Sequence, residues 1–351
     1  MRVLITGGAG FIGSALVRML IRDTDHHVCV FDALTYSGSL AALDPVKESN
    51  RYCFVQGDIC DRGLVQKVID DFNPSVITHL AAESHVDRSL DGPDQFIKTN
   101  VVGTYEMLEA ARKYWKGLSG AEKSAFRFHH ISTDEVFGSL GDEGLFSEQS
   151  PYDPRSPYSA SKAGSDHLAS AWFHSFGLPV LITNCSNNYG PYQNPEKLIP
   201  LMIAKALNGE ALPVYGSGAN VRDWLYVDDH VEALRTVFEQ GEPGRTYNIG
   251  GNAEMRNIEV VKAICDVLDK EAPTSHGRSY RQQIEFVTDR PGHDARYAID
   301  TQRINDELNW SSKVDFQTGL EKTVQWYLAN RDWWQELIDT KEASVRRGLS
   351  S

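Results

Sequence analysis

Three glycines, Gly7, Gly10 and Gly13, follow the apolar run 3–6 at three-residue intervals, and a helical pattern opens at Ser14. Glycine at these points lets the chain turn sharply off a strand and bring bare backbone against a pyrophosphate, which rests on the helix N-terminus. A GxxGxxG cluster alone is often no more than a tight turn. Here it stands between a strand and a helix, with Phe11 and Ile12 inside the turn, and Asp32 closes a second apolar run 19 residues after Gly13. A carboxylate at that place accepts hydrogen bonds from both adenosine ribose hydroxyls and repels a 2′-phosphate. The pattern therefore predicts NAD rather than NADP.

The strand–helix alternation continues. Runs 28–31, 52–55, 76–80, 126–131 and 180–183 read as further strands, and 63–72, 101–114 and 159–176 carry helical patterns between them. Strands that are apolar at nearly every position are covered on both faces, so the alternation predicts an α/β fold with a Rossmann-type, doubly wound parallel sheet. Asp58 and Ile59, after the third strand, are expected to flank adenine. Leu80, Ala81 and Ala82, after the fourth, are expected to pass beneath the cofactor, where small side chains allow close approach. From about Cys185 onward Asn, Pro and Gly become frequent and the alternation breaks down. Pieces 246–249 and 284–287 flank a helical 258–268. This predicts a smaller mixed α/β substrate-binding lobe over 185–330, interleaved with a first domain over 1–184 to which segments near 222–250 return. A terminal helix, packed by Trp333 and Trp334, and a frayed tail are expected over 331–351.

A chain of 351 residues exceeds the ~250–300 at which a single core stops growing, in keeping with a large domain plus a lobe. Forty-eight Asp and Glu against 35 Lys and Arg leave a net charge of −13, which repels phosphate backbones and argues against a nucleic-acid partner. The five cysteines are scattered without a CxxC pair, so they suit a reducing cytoplasm and offer neither a disulfide framework nor a zinc site. No metal is expected. The uncharged stretch 3–17 reads as part of the fold rather than as a signal peptide or membrane anchor, because four glycines interrupt it and it is too short to span a bilayer.

Two further patterns carry chemistry. Tyr158 and Lys162 stand four apart at the start of a helical segment and so share a face. A phenol beside an ammonium and an oxidised nicotinamide is expected to have its pKa lowered from ~10 and to serve as a base. Asp134 and Glu135 follow Ser132-Thr133 where the fifth strand is expected to end. Neighbours in a regular strand point to opposite faces, so the pair must lie where the chain turns. Two acids suit a dehydration, in which one removes a proton while the other, kept protonated by burial and by its neighbour, protonates a departing hydroxyl. His79, His129 and His130 lie in strands and read as structural.

With these residues in place the chain resembles the extended short-chain dehydrogenase/reductase superfamily over nearly its whole length. Residues 132–135 and the stretches 81–89, 184–192, 195–200, 220–227 and 289–293 narrow the resemblance to the dTDP-glucose 4,6-dehydratases of deoxysugar (L-rhamnose) biosynthesis. That resemblance implies a cytoplasmic homodimer packed through 101–114 and 159–176, NAD bound tightly, and dTDP-glucose as the nucleotide-sugar substrate. It implies that Tyr158, helped by Thr133 and Lys162, deprotonates the glucose 4-hydroxyl, that Glu135 removes the C5 proton, and that Asp134 protonates the C6 oxygen. Ser84 and Thr99 join Tyr158 and Lys162 at the cofactor; Ser84 and His85 join the catalytic acids at the sugar. In the second lobe Asn187, Lys197, Leu198, Pro213, Tyr215, Asn257, Arg290 and His293 match substrate contacts of the family. Arg222 offers a guanidinium fork for the diphosphate. Phe137 and Asn194 depart from the family's aromatic pattern. A UDP-glucose 4-epimerase does not need the acid pair, and Asp32 argues against an NADP-preferring GDP-mannose 4,6-dehydratase. The intact catalytic set argues against a cofactor sensor without activity.

Overall fold

The computed structural model describes residues 1–289 and 293–339, so Arg290 and the tail from residue 340 lie outside the described residues. Among the described residues twelve strands are formed: β1 (Arg2–Thr6), β2 (His27–Asp32), β3 (Tyr52–Gln56), β4 (Val76–His79), β5 (Arg127–Thr133), β6 (Val180–Cys185), β7 (Asn187–Tyr189), β8 (Leu212–Tyr215), β9 (Val221–Tyr226), β10 (Thr246–Ile249), β11 (Glu254–Arg256) and β12 (Ile284–Val287). Alternate side chains of β1 and β2 enter opposite layers. Val3, Ile5, Val28 and Val30 belong to one core; Leu4, Cys29 and Phe31 belong to the other. That two-sided burial is why these runs are apolar at every position.

The main sheet is parallel, in the order β10-β6-β5-β4-β1-β2-β3, with Ile5 registered between Val30 and Thr78. Chain order reverses between β1 and β4, and the connections diverge there, opening a crevice at the carboxyl ends of the strands. Two small sheets, β11-β9-β7 and β12-β8, belong to the rest of the chain. The helices Leu198–Leu207, Asn257–Glu271 and Phe316–Ala329 pack a separate core there, around Tyr189, Trp224 and Tyr226.

Residues 246–249 pair with β6 in the main sheet, delivered there by the helix Val227–Gln240, which buries Val231, Leu234 and Val237 in the main core. Residues 221–226, just before that helix, stay in the three-stranded sheet and do not return to the main one. The helix expected over 101–114 is preceded by a π-helical Ile97–Gly103 and continues as Thr104–Gly117. Trp334 is fully buried and donates its indole N–H to the Tyr327 carbonyl at 2.8 Å, while Trp333 packs on Tyr192 and Trp326. All five cysteines are free thiols. Among the described residues no helix is long and apolar enough to cross a membrane.

Candidate active site

A cavity of about 320 Å³ opens at the crevice between β1 and β4, and every cofactor candidate named from the sequence lines it, from Gly7 to Lys162. The glycine turn explains how backbone comes to form its floor. Gly7 has φ +70°, and a Cβ there would stand 2.7 Å from the Ala81 nitrogen; at Gly13 a Cβ would stand 2.2 Å from the Gly7 oxygen. The turn is therefore seated directly on the end of β4, with Ala81 and Ala82 beside it. The helix Phe11–Asp23 begins there with no side chain capping it, and Phe11 and Ile12 face the cavity. That arrangement leaves first-turn N–H groups for an anion. Asp32 is buried, with its Oδ2 accepting from the Ala9 N–H at 2.9 Å and its Oδ1 from the Leu34 N–H at 2.8 Å. Burial pushes its carboxyl pKa up and these two bonds pull it down. Each oxygen keeps a further lone pair for a ribose hydroxyl.

This cradle yields a direct test. In Gly13→Ala the new methyl meets a backbone oxygen that cannot swing aside. The expected result is a protein destabilised by about 1–3 kcal/mol and purified without bound dinucleotide, read by thermal unfolding and by the cofactor's absorbance.

The catalytic candidates meet at the opposite wall. β5 ends at Thr133, and a 3₁₀ turn, Asp134–Phe137, follows at once. Thr133 Oγ1 accepts the Glu135 N–H at 3.3 Å and donates to Asp134 Oδ1 at 3.3 Å. The turn brings both acids to one cavity, which adjacent residues of a strand could not do. Val136 and Phe137 are buried and anchor it. Phe137 stacks on Phe146 at 5.3 Å and meets Tyr152 edge-on at 5.2 Å, a packing role. Asn194, the other departure, lines the cavity. Burial, the Glu135 charge and Asp223 hold the Asp134 carboxyl well above the usual carboxylate range, and its Oδ2 is buried without a protein partner. Each of these influences disfavours the charged form of Asp134.

Tyr158 and Lys162 lie in the first turns of the helix Pro157–Phe176. That helix starts earlier than the sequence pattern suggests because Pro157 occupies its first position and Ser156 caps it, accepting the Ser159 N–H at 3.0 Å. Both side chains are buried and line the cavity. Within the chain alone, burial first, then Glu135, push the phenol pKa well above 10, while a hydrogen bond with Thr133 lowers it; the expected lowering concerns the phenol beside an oxidised nicotinamide. The Lys162 ammonium donates to the Ile131 carbonyl at 2.8 Å.

The substrate candidates divide into two groups. Ser84, Asn187 and Lys197 line the same cavity as the acids, and Lys197 donates to the Ser84 carbonyl at 2.9 Å. His85, Leu198, Pro213, Tyr215, Arg222, Asn257 and His293 do not line it. His85 caps a short helix and accepts the Arg88 N–H at 3.4 Å. Leu198 opens a helix, and Pro213 and Tyr215 lie in β8. Tyr215 meets His293 edge-on at 5.9 Å, and His293 pairs with Asp289 at 2.7 Å. Asn257 starts a helix, and its side-chain oxygen is buried without a partner. Arg222 donates to the carbonyls of Val221 (2.8 Å) and Asp294 (3.0 Å), and it lies 4.3 Å over the Tyr297 ring.

Sequence reasoning missed Asn100 in the π-helical segment. Its side chain accepts the Glu83 N–H at 2.8 Å and donates to the Glu83 carbonyl at 2.9 Å, fixing the loop under the cavity. It also missed Arg88, which bonds Glu196 at 3.2 Å and lies 3.7 Å over the Tyr36 ring. Asn100 carries no periodic signal. Arg88 stands inside the stretch 81–89, but its partners at 36 and 196 are distant in sequence. His79, His129 and His130 are buried. His79 bonds Thr6 and Thr104, His129 bonds Thr183, and His130 bonds Asp166.

Residues 4–323 match the family described as GDP-mannose 4,6 dehydratase. A probable dTDP-glucose 4,6-dehydratase from Sinorhizobium fredii is 57% identical over 350 residues, covering 99% of each chain. Among solved structures, a dTDP-glucose 4,6-dehydratase from Streptomyces venezuelae, crystallised with NAD, has a TM-score of 0.88 at 45% identity. The match covers 96% of this chain and 100% of that one. A UDP-glucose 4-epimerase from Thermotoga maritima shares the fold with a TM-score of 0.83 but only 27% identity, over 94% and 100% of the chains.

Proposed function

The chain belongs to the dTDP-glucose 4,6-dehydratase family of the extended short-chain dehydrogenase/reductase superfamily, and from that premise we propose the reaction and the residues that carry it. It converts dTDP-glucose to dTDP-4-keto-6-deoxyglucose and water, using NAD. The observation that carries this reading is the Asp134–Glu135 pair, with the charged form of Asp134 disfavoured by burial, in one cavity with Tyr158, Lys162 and the glycine cradle. An epimerase has no use for the second acid.

Gly7, Gly10, Gly13 and Asp32 would hold the dinucleotide, which when bound would take a hydride from C4 and return it to C6. Tyr158 takes the proton of the 4-hydroxyl, with Thr133 sharing its hydrogen bond and the Lys162 ammonium nearby. The C4 ketone acidifies C5–H; Glu135 removes that proton and returns it to C5 when C6 is reduced. Asp134 donates its proton to the C6 oxygen, so water leaves rather than hydroxide. Arg222, Asn257, His293 and Arg290 serve the nucleotide half. The first domain, over 1–184, carries the cofactor and the lobe over 185–330 the substrate. Exposed Ile97, Val102 and Phe176, beside the helices Thr104–Gly117 and Pro157–Phe176, support a homodimer through that face. Five free thiols support a cytoplasmic location.

Because one turnover both oxidises and reduces the sugar, transfer is internal. With substrate deuterated at C4, the label is expected at C6 of the product, read by mass spectrometry and NMR. Label diluted by added unlabelled NADH would overturn the cycle.

A further inference from the structure

Asp166 lies four residues beyond Lys162, on the same face of the catalytic helix, and is 2% exposed. It does not line the cavity. Its carboxylate collects four donors: Ser132 Oγ at 2.7 Å, Tyr152 Oη at 2.9 Å, His130 Nε2 at 3.0 Å and Asn184 Nδ2 at 3.4 Å. These partners lead back to the reacting groups. His130 and Ser132 flank Ile131, whose carbonyl takes the Lys162 ammonium, and Asn184 also donates to the Thr133 carbonyl at 3.0 Å. One carboxylate thus joins the end of β5, the end of β6 and the helix that presents Tyr158 and Lys162.

Charge gives the same answer. Around buried Lys162 stand His79 and His130, both held neutral by burial, the Cys185 thiol, pushed up by burial to about 12, and Asp166. Burial depresses the lysine's pKa, and Asp166 is first among the groups that raise it again. The direct acceptor, the Ile131 carbonyl, is neutral. We propose that Asp166 is a positioning residue of this centre, holding Thr133 and Lys162 in place and supplying the buried negative charge that balances the Lys162 ammonium. The inference rests on the roles proposed above for Tyr158 and Lys162.

The test is the pH profile of kcat in the full chain. Asp166→Asn keeps the shape but removes the charge, so Lys162 loses its proton at lower pH. The alkaline limb of kcat is expected to move down by about 1–3 pH units, giving a tenfold or greater loss where the wild type is still on its plateau. KM for dTDP-glucose stays put, because Asp166 does not line the cavity. Asp166→Glu restores the charge and is expected to hold the limb in place while kcat falls modestly; this variant decides the matter if the Asn variant does not fold. A uniform drop in Asp166→Asn with the limb unmoved overturns the inference, as does a limb that shifts in Asp166→Glu. Lys162→Met and Tyr158→Phe run alongside: if either turns over like the wild type, the reading of the site itself has failed.

Discussion

Glu135→Gln is expected to oxidise the sugar and then stop. The amide matches the carboxylate in size and keeps a hydrogen-bonding oxygen, but it cannot accept the C5 proton. Thr133, Tyr158 and Lys162 are untouched, and the Glu135 backbone N–H still bonds Thr133. Removing the Glu135 charge also relieves one of the influences that push the Tyr158 phenol up, so the first proton transfer is not impeded. On mixing with dTDP-glucose the reduced cofactor's absorbance is expected to appear and persist, with formation of the 4-keto-6-deoxy product slowed by ~10²–10⁴-fold, the usual contribution of one positioned base. Equal loss of both steps would mean that Glu135 only orients the sugar. The same variant lowers the Asp134 pKa, since Glu135 is among the groups that raise it.

How much of such a site is legible in an amino-acid sequence depends on how local its causes are. The glycine turn, Asp32 and the small residues after β4 are legible because each follows from one strand end and one helix start. The cavity lines up all of them. The catalytic helix is legible through the spacing of Tyr158 and Lys162, but its start is not, because Ser156 and Pro157 set it. Charge states are legible only where the cause is a neighbour in sequence. Glu135 raises Asp134 as its adjacency suggests, whereas the upward push of burial on Tyr158 is a property of the whole fold that the spacing to Lys162 does not show. Arg222 shows the same limit: its residue type suits a phosphate, but its bond to the Asp294 carbonyl, far along the chain, is not legible from residue type. Asp166 stands in plain view at the next helical turn after Lys162. Its meaning needs His130, Ser132, Tyr152 and Asn184 brought together from three other segments.

Asp134→Asn is expected to slow the elimination by ~10²–10⁴-fold while leaving C4 oxidation nearly intact. Asp134 is 1% exposed, and burial, Glu135 and Asp223 all disfavour its charge. Its second oxygen is buried without a protein hydrogen-bond partner. Hydroxide is a poor leaving group, and breaking the C6–O bond needs a proton; asparagine keeps the shape and cannot supply it. The sign with pH follows. The elimination step, timed by the decay of the reduced cofactor after C4 oxidation, falls in the wild type as pH rises through the raised Asp134 pKa, and the variant should lack that limb, since an amide does not titrate; the limb that follows Lys162 belongs to the oxidation step. A substrate carrying fluorine at C6 loses its leaving group with far less help from an acid, so the variant should recover most of its deficit on that analogue. Equal slowness on both substrates, or an unchanged alkaline limb in the variant, would assign the proton to another group and leave Asp134 a structural role.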